Sequence, residues 1–446
     1  MLRRELRPML ALAAPVVIAE VGWITMGIVD TLMVGRLGAS AIAAVGLSGM
    51  LFFGVTVFAL GLLLGLDPLV AQAFGARRLD ECHRWLVDGL WLSLIVGVPS
   101  IAVVLLLRRS LGRWGFPAEV LSFTRPYLAI LAWSLAPLMF YAAFRRYLQA
   151  MAIVRPVTIT LIAANVVNAL GNWMLIFGHL GAPAMGVRGS AYSTLVARIF
   201  MAVALFAVIL RHESHMRPRL RDTPMRFDPA RLRTLFELGF PAAGQIALEV
   251  GVFAAATALA GRVSAAALAA HQIALNMAGL TFMVPYGLAS AASVRVGHAV
   301  GRQDRHAASI AGWTAIMLGV AFMSTAAIVF LTAPAFLISL FTADAAVIGI
   351  GVSLLFVAAV FQVFDGVQGV TTGALRGLGD TRTAMYWSLG GHWLVGLPFG
   401  YYLCFRLGRG VVGLWWGLST GLIICGIALI VTWRRRSRGL APVPER

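Results

Sequence analysis

The chain has 446 residues, 60% of them hydrophobic and only 12% charged, with a mean hydropathy of +0.87. Soluble domains carry about 25% charged residues, so a water-facing surface could not be covered and a soluble globular protein is excluded. Basic residues outnumber acidic ones by 36 to 18, and every basic residue is arginine. The absence of lysine removes a Walker A phosphate loop, a pyridoxal Schiff base and a lysine general base. Cys82, Cys404 and Cys425 offer neither a disulfide framework nor metal-ligand spacing.

Apolar stretches fall near 10–32, 47–72, 86–107, 124–144, 157–178, 188–210, 236–260, 268–297, 309–333, 346–373, 384–405 and 411–433. Each has the length of a membrane-spanning helix. Helix is the expected state because an open strand leaves its backbone polar groups unsatisfied in hydrocarbon. A β-barrel is excluded because the segments are about twice barrel-strand length and do not alternate. The basic start, Met1 to Arg7, leads directly into the first apolar run without a small-residue cleavage site, so no cleavable signal peptide is expected.

With the N-terminus inside, 26 arginines fall in cytoplasmic segments and nine on the opposite side: Arg36, Arg108, Arg109, Arg113, Arg125, Arg188, Arg262, Arg406 and Arg409. That asymmetry predicts a multi-pass protein of the cell inner (cytoplasmic) membrane with both termini cytoplasmic. The positive excess is then an orientation signal rather than a nucleic-acid surface, and no nucleic-acid partner is expected.

The longest polar stretch, 211–233, lies near the midpoint, and splitting the chain there exposes a repeat. Residues 35–44 match residues 261–270 at an offset of 226, which also pairs Pro15 with Pro241, Val70 with Val296 and Gly75 with Gly301. Arg146 and Arg155 have weaker counterparts in Arg376 and Arg382, and Gly186-x-x-Gly189 echoes Gly410-x-x-Gly413. The expected fold is an all-α integral membrane protein. Twelve transmembrane helices form two six-helix bundles related by a pseudo-two-fold along the membrane normal. The expected boundaries are 1–210 for the first bundle, 211–233 for a cytoplasmic linker, 234–433 for the second bundle and 434–446 for a basic cytoplasmic tail.

Charges inside spans are costly unless paired or facing water, so they mark candidate function. Glu249 and Asp365 each lie about a dozen residues from a cytoplasmic boundary, near the midplane. Gln245 stands one turn before Glu249, and Gln362 and Gln368 flank Asp365 at i±3. Cation binding is the functional reading of this polar stripe, and a structural hydrogen bond is the alternative. Asp30 lies in the outer half of the first span, where cation binding competes with ordering the Gly35–Gly38 turn. Glu20 is deeper, and both a functional and a structural role stay open for it. Asp67, followed by Pro68, reads as structural, and Arg198 needs a carboxylate or carbonyl partner. Gln272 and Asn276 share a face of the eighth span with Met283. Together with Phe282 and Tyr286 they suggest a polar entrance and an aromatic, methionine-bearing wall suited to flat cations, ordinary helix packing being the alternative. Asn165, Asn168 and Asn172 form a second polar stripe on the fifth span, and His392 is read as the one histidine well inside a span.

Two motif matches fail on context. Gly417-Leu-Ser-Thr-Gly421 fits G-x-S-x-G but has no preceding strand. His212-Glu-Ser-His215 has the wrong spacing for a zinc-binding pair.

Pro15 through Asp30-Thr-Leu-Met-Val-Gly35-Arg-Leu-Gly38, Gln72-Ala-Phe-Gly75, Gly239-Phe-Pro241 through Glu249, Ala270-His-Gln-Ile-Ala-Leu-Asn276, Val294-Arg-Val-Gly297 and Ala374-Leu-Arg-Gly-Leu-Gly-Asp-Thr381 together resemble the multidrug and toxic compound extrusion (MATE) family. The likeness covers nearly the whole chain. Having both Glu249 and Asp365 looks like the NorM branch rather than the DinF-like branch, which lacks the seventh-helix acid. The resemblance implies that Asp30, Glu249 and Asp365 take part in cation coupling or drug binding. Read from their spacing, Gln245, Gln272, Asn276, Phe282, Met283, Tyr286, Gln362 and Asn172 are the expected cavity residues, together with Glu20, which the family pattern does not place. The resemblance also implies no enzyme activity and no cofactor, a coupling ion that is Na⁺ or H⁺ (Na⁺ held by Glu249 and Asp365 if sodium-coupled), cationic lipophilic substrates and a monomer in the bilayer. A lipid-linked saccharide flippase of the same superfamily is the alternative, with basic cavity residues expected instead. An intramembrane enzyme is the reading from another class, and it would need a catalytic cluster.

Overall fold

A computed structural model describes residues 2–213 and 219–440. All regular structure among these residues is helical. The elements are α1 (Leu2–Val34), α2 (Ala39–Leu62), α3 (Leu66–Gly75), α4 (Leu79–Ser110), α5 (Ala118–Trp133), α6 (Leu135–Ala150), α7 (Arg155–Phe177) and α8 (Val187–Glu213) in the first half. The second half holds α9 (Pro229–Gly261), α10 (Ala265–Gly301), α11 (Arg305–Thr332), α12 (Pro334–Ser339), α13 (Ala345–Gly377), α14 (Arg382–Ser388), α15 (Leu397–Tyr401) and α16 (Gly410–Leu440).

Every one of the twelve apolar stretches coincides with helix. Ten helical segments among the described residues are long and apolar enough to cross a membrane, and α5 with α6 forms a further span bent by 42°. The remaining stretch, 384–405, falls on α14 and α15, which are joined and followed by π-helical turns at Leu389–Gly396 and Tyr402–Arg406. The expected basic tail begins inside α16, which stays helical to Leu440, and residues 441–446 lie outside the described residues.

The acids at helix ends earn their places by capping. Asp304 accepts from the Ala307 amide at 2.9 Å, and Asp344 accepts from Ala346 at 2.8 Å, so each satisfies amides that the first helical turn leaves without a partner. Ser264 does the same for Ala267 at the start of α10.

The backbone repeats its punctuation as well as its residues. Arg77 and Gln303, 226 residues apart, both adopt φ of +60° in the turns after Gly75 and Gly301. Gly186 and Gly410 also match, at +55° and +58°. Three residues on, Gly189 lies against the Leu175 backbone, and Gly413 places a would-be Cβ 2.8 Å from the Leu403 carbonyl carbon. Both helix starts therefore approach the end of the preceding helix more closely than a side chain allows.

The chain divides into two compact units, one of Ile18–Ala243 and one of Met1–Val17 with Gly244–Arg446. The cuts fall inside α1 and α9, two residues after Pro15 and Pro241, and are again 226 residues apart. The first part of each of these helices packs into the unit that its remainder leaves. In one unit Gly61 meets the start of α9, where a Cβ would stand 2.6 Å from Ala243 Cα. In the other, Gly287 meets Val17 of α1. Gly61 and Gly287 are repeat-equivalent, and so are Ala243 and Val17. Ion pairs hold both helix starts: Glu5 takes Arg295 at 2.6 Å in the second unit, and Arg231 takes Asp88 at 2.7 Å in the first.

In the second unit, the α14–α15 region packs on α16 through glycines. A Cβ at Gly400 would lie 2.9 Å from the Leu414 carbonyl, one at Gly396 3.0 Å from the Gly417 carbonyl, and one at Gly391 2.9 Å from the Gly421 carbonyl. Small residues let membrane helices approach backbone to backbone. The Gly417–Gly421 match that imitates a nucleophile elbow is this packing seam.

Candidate functional site

In the unit that contains Gly244–Arg446, α9 turns Glu249 toward α13 and α14. Its Oε1 accepts from Gln245 Nε2 at 2.9 Å, Gln368 Nε2 at 2.5 Å and Ser388 Oγ at 3.2 Å. Gln245 arrives from one turn earlier on the same helix, Gln368 from α13, and Ser388 from the end of α14 where the π-helical turn begins. The wider turn that follows Ser388 also carries Trp393, whose indole donates to the Leu248 carbonyl at 2.9 Å, so α9 is tied to this segment on both sides of Glu249. Asp365 on α13 lies within electrostatic reach of Glu249. No donor to its carboxylate is found among the described residues, and both acids are half-buried. One carboxylate is held by three neutral donors and the other has its lone pairs free. This pair can accept a proton, a metal cation or an organic cation at little structural cost.

The i±3 pattern around Asp365 resolves unequally. Gln368 joins Glu249, whereas Gln362 is fully buried and donates to Thr281 of α10 at 2.7 Å. Its helix face turns into the packing between α10 and α13 instead of toward the acids. Phe282 lies over Gly369, where a Cβ would come 2.9 Å from its ring, so it too packs α10 against α13. Gln272 and Asn276 are exposed on one face of α10, while Met283 and Tyr286 are half-buried.

In the unit of Ile18–Ala243, Asp30 is 6% exposed and makes no cap. Its Oδ1 accepts from Asn172 Nδ2 at 2.6 Å and its Oδ2 from Thr194 Oγ1 at 3.0 Å. Asn172 also donates toward Asn168 Oδ1 at 3.3 Å, which leaves Asn172 Oδ1 buried without a hydrogen-bond partner. The asparagine stripe of α7 is therefore the wall of the Asp30 site. Asn165 stands apart from it, donating to the Gly22 carbonyl of α1 at 3.0 Å. Glu20 forms an ion pair with Arg145 of α6, so its charge is neutralised locally. Asp67 pairs with Arg146 at 3.5 Å. Among the described residues, Arg198 finds neither carboxylate nor carbonyl as its hydrogen-bond acceptor. It donates to Ser134 Oγ at 2.5 Å and sits 4.6 Å from the Phe52 ring centroid, a cation–π contact that supplies negative potential without a formal charge.

Two features escape the sequence reading. Asp88 lies inside α4 with its side chain 3% exposed and is neutralised by Arg231. His271 is as deeply buried as His392, each at 1% exposure. Trp415 Nε1 donates to His271 Nδ1 at 2.9 Å, so the other nitrogen carries the proton toward Thr257 Oγ1, also at 2.9 Å. Thr257, Trp415 and His271 come from three helices, so no spacing along one helix reveals the cluster. No group of three or more His, Cys, Asp or Glu side chains suited to a metal ion occurs among the described residues.

The MatE family model matches residues 15–174 and again residues 241–402. The chain belongs to the MatE family. Its two matched stretches begin at Pro15 and Pro241, so the family unit is the repeat unit. A relative from Mesorhizobium japonicum, named Probable multidrug resistance protein NorM, is 39% identical and aligns over 99% of this chain and 96% of its own length. Similarly named proteins from Brucella suis biovar 1 and Bradyrhizobium diazoefficiens are 34% and 37% identical, each over 97% of this chain and 93% of their own length. Among solved structures, a MATE protein in a bent conformation superposes with a TM-score of 0.89 at 20% identity, covering 97% of this chain and 95% of that one. A eukaryotic MATE transporter gives 0.85 at 20% identity over 98% of both chains. At that identity the likeness establishes the twelve-helix MATE fold. Members of the MatE family are transporters rather than enzymes, and this chain is a multi-pass membrane protein.

Proposed function

We propose that the chain is a secondary active multidrug exporter that exchanges lipophilic organic cations for Na⁺ or H⁺ by alternating access. The names of its NorM relatives support multidrug export. The observation that carries the coupling is the arrangement at Glu249: three neutral donors on one carboxylate oxygen, with Asp365 in electrostatic reach and bare of donors. The second half of α9, α13 and the α14 region share one compact unit, so the acids keep their relation to each other while that unit moves as a body.

In the outward state Glu249 and Asp365 take up Na⁺ or H⁺, which cancels the charge that holds an organic cation and releases it. In the inward state the ion leaves, and the same charge receives the next substrate. Coupling is competition for one negative site, so the cycle needs no cofactor. Asp30 is a second ion site of the same logic. Its buried carboxylate and the free Asn172 Oδ1 supply the oxygen ligands that a hard cation prefers. Gln272, Asn276, Met283 and Tyr286 on α10 serve as substrate contacts. The protein acts as a monomer in the inner membrane with both termini cytoplasmic, a topology supported by the 26-to-nine arginine asymmetry.

The test is ethidium efflux from proteoliposomes under an imposed Na⁺ or pH gradient. Wild type extrudes the dye with one of the two gradients, and Glu249→Gln and Asp365→Asn each reduce that efflux to the protein-free rate while eluting as folded monomers. Full transport by both variants would sink the assignment.

A further inference from the structure

The end of α4 farthest from Arg231 carries a second charged feature that the transport cycle does not use. Arg108 and Arg109 close α4, Arg113 follows in a single 3₁₀ turn, and Arg125 projects back from α5. Arg108 Nε donates to the Arg125 carbonyl at 2.9 Å. The Arg125 guanidinium lies over Gly112, at a place that any side chain there would occupy. Four arginines thus share one corner of the fold, at the end of α4 and the start of α5, and among the described residues none of their guanidiniums meets a carboxylate. Arg109, Arg113 and Arg125 are exposed, as is Glu119, the one acid of this corner, which pairs with none of them. Like charges brought close repel, so the corner favours an anion.

Its surroundings say which kind. Ile95, Val98 and Leu106, 48%, 63% and 61% exposed, share the face of α4 that ends at Arg109. An apolar face exposed over three turns of a spanning helix is a surface for acyl chains, and the arginines at its end lie at headgroup depth. Trp114 is 47% exposed beside Phe116, their ring centroids 6.4 Å apart, and tryptophan at such a rim sits among headgroups. Planar guanidiniums also match phosphate oxygens in paired hydrogen bonds. We propose that the α4–α5 corner binds the phosphate headgroup of an anionic phospholipid, with the acyl chains lying along the Ile95–Leu106 face.

The experiment compares wild type, Arg109→Gln/Arg113→Gln, and a control, Arg434→Gln/Arg435→Gln, which removes equal charge from exposed positions on α16. Each is stripped of lipid in detergent, and its melting is followed while phosphatidylglycerol, phosphatidylcholine or inorganic phosphate is added. Phosphatidylglycerol is expected to raise the melting temperature of wild type and control at the same concentration. The corner variant should require about 25-fold more, since each arginine near a headgroup surface contributes roughly a 5-fold gain. Both substituted residues are exposed and, among the described residues, make no side-chain hydrogen bond, so the variant should fold; native mass spectra counting retained phosphatidylglycerol give an independent readout. The proposal is overturned if the corner variant responds like wild type, if phosphatidylcholine equals phosphatidylglycerol, or if phosphate alone reproduces the shift.

Discussion

Arg231 offers the sharpest structural test, because three interactions converge on it at the start of α9. Its Nε sits 2.7 Å from Asp88, its Nη1 3.3 Å from Glu81, and its guanidinium carbon 3.8 Å from the Trp85 ring centroid. Asp88 is 3% exposed while Glu81 is 26% exposed, so the two bridges differ in weight. Arg231→Met leaves Asp88 buried and unpaired, a loss of about 3–5 kcal/mol. The exposed Glu81 bridge contributes about 1 kcal/mol or less, and the ring contact adds roughly 0.5–2 kcal/mol. Together these come to roughly 4–8 kcal/mol, so at roughly 2–4 °C per kcal/mol for a unit of this size Arg231→Met should lower the melting temperature by about 8–32 °C. Glu81→Gln should lower it by less than about 4 °C. Adding Asp88→Asn to Arg231→Met should restore part of the loss, since the orphaned charge is then gone. Thiol-dye melting in detergent reads these four proteins and the Asp88→Asn single variant, which completes the cycle. Strict additivity of the two substitutions would refute the reasoning, because it would mean that Asp88 does not depend on Arg231.

The other predictions follow from single contacts. Gly417→Leu drives a side chain into the Gly396–Gly400 backbone and should abolish monodisperse material in size-exclusion chromatography; wild-type yield would contradict the glycine seam. His271→Phe removes the acceptor of the Trp415 indole and the partner of Thr257, at a cost of about 1–3 kcal/mol for each buried group left unsatisfied. Faster amide exchange should then appear around 257, 271 and 415 together, and unchanged protection at all three would count against the cluster. Asn172→Leu removes both the 2.6 Å donor to Asp30 and the free amide oxygen. It should weaken Na⁺-dependent thermal protection more than the isosteric Asn172→Asp does, and equal protection in the two would remove Asn172 from the ion site.

The helices could be read from the sequence because hydrocarbon leaves few options: a run of about twenty apolar residues must satisfy its own backbone. The repeat could be read because glycines and prolines are placed by backbone need, and the positive φ at Arg77 and Gln303 shows the same turn made twice. The exchange of helix starts was hidden. A continuous helix gives no sign of where its neighbours change, and Pro15 and Pro241 mark the place only after the packing is seen. At the site, spacing along one helix found Gln245 and Gln368, but i−3 and i+3 neighbours diverge by enough to send Gln362 to Thr281. Ser388 and His271 act through contacts between helices, which no single-helix pattern encodes. Asp88 escaped because an acid near a span boundary reads as solvated until the arginine that neutralises it, some 140 residues later in the chain, is in place.

The central claim is that ion and substrate compete for the charge of Glu249 and Asp365, and the direct measurement is the affinity of an organic cation at rising ion concentration. Ethidium binding to purified protein is followed by fluorescence anisotropy across a Na⁺ titration and a pH titration. An interaction of two unit charges about 5 Å apart at an effective dielectric of 20 is about 3 kcal/mol, so saturating the acids should weaken binding by about 100-fold. The account predicts that the Kd rises in proportion to the coupling ion for wild type, and stays weak and ion-independent for Glu249→Gln. A wild-type Kd that is flat in both titrations, or that falls as the ion is added, would contradict it.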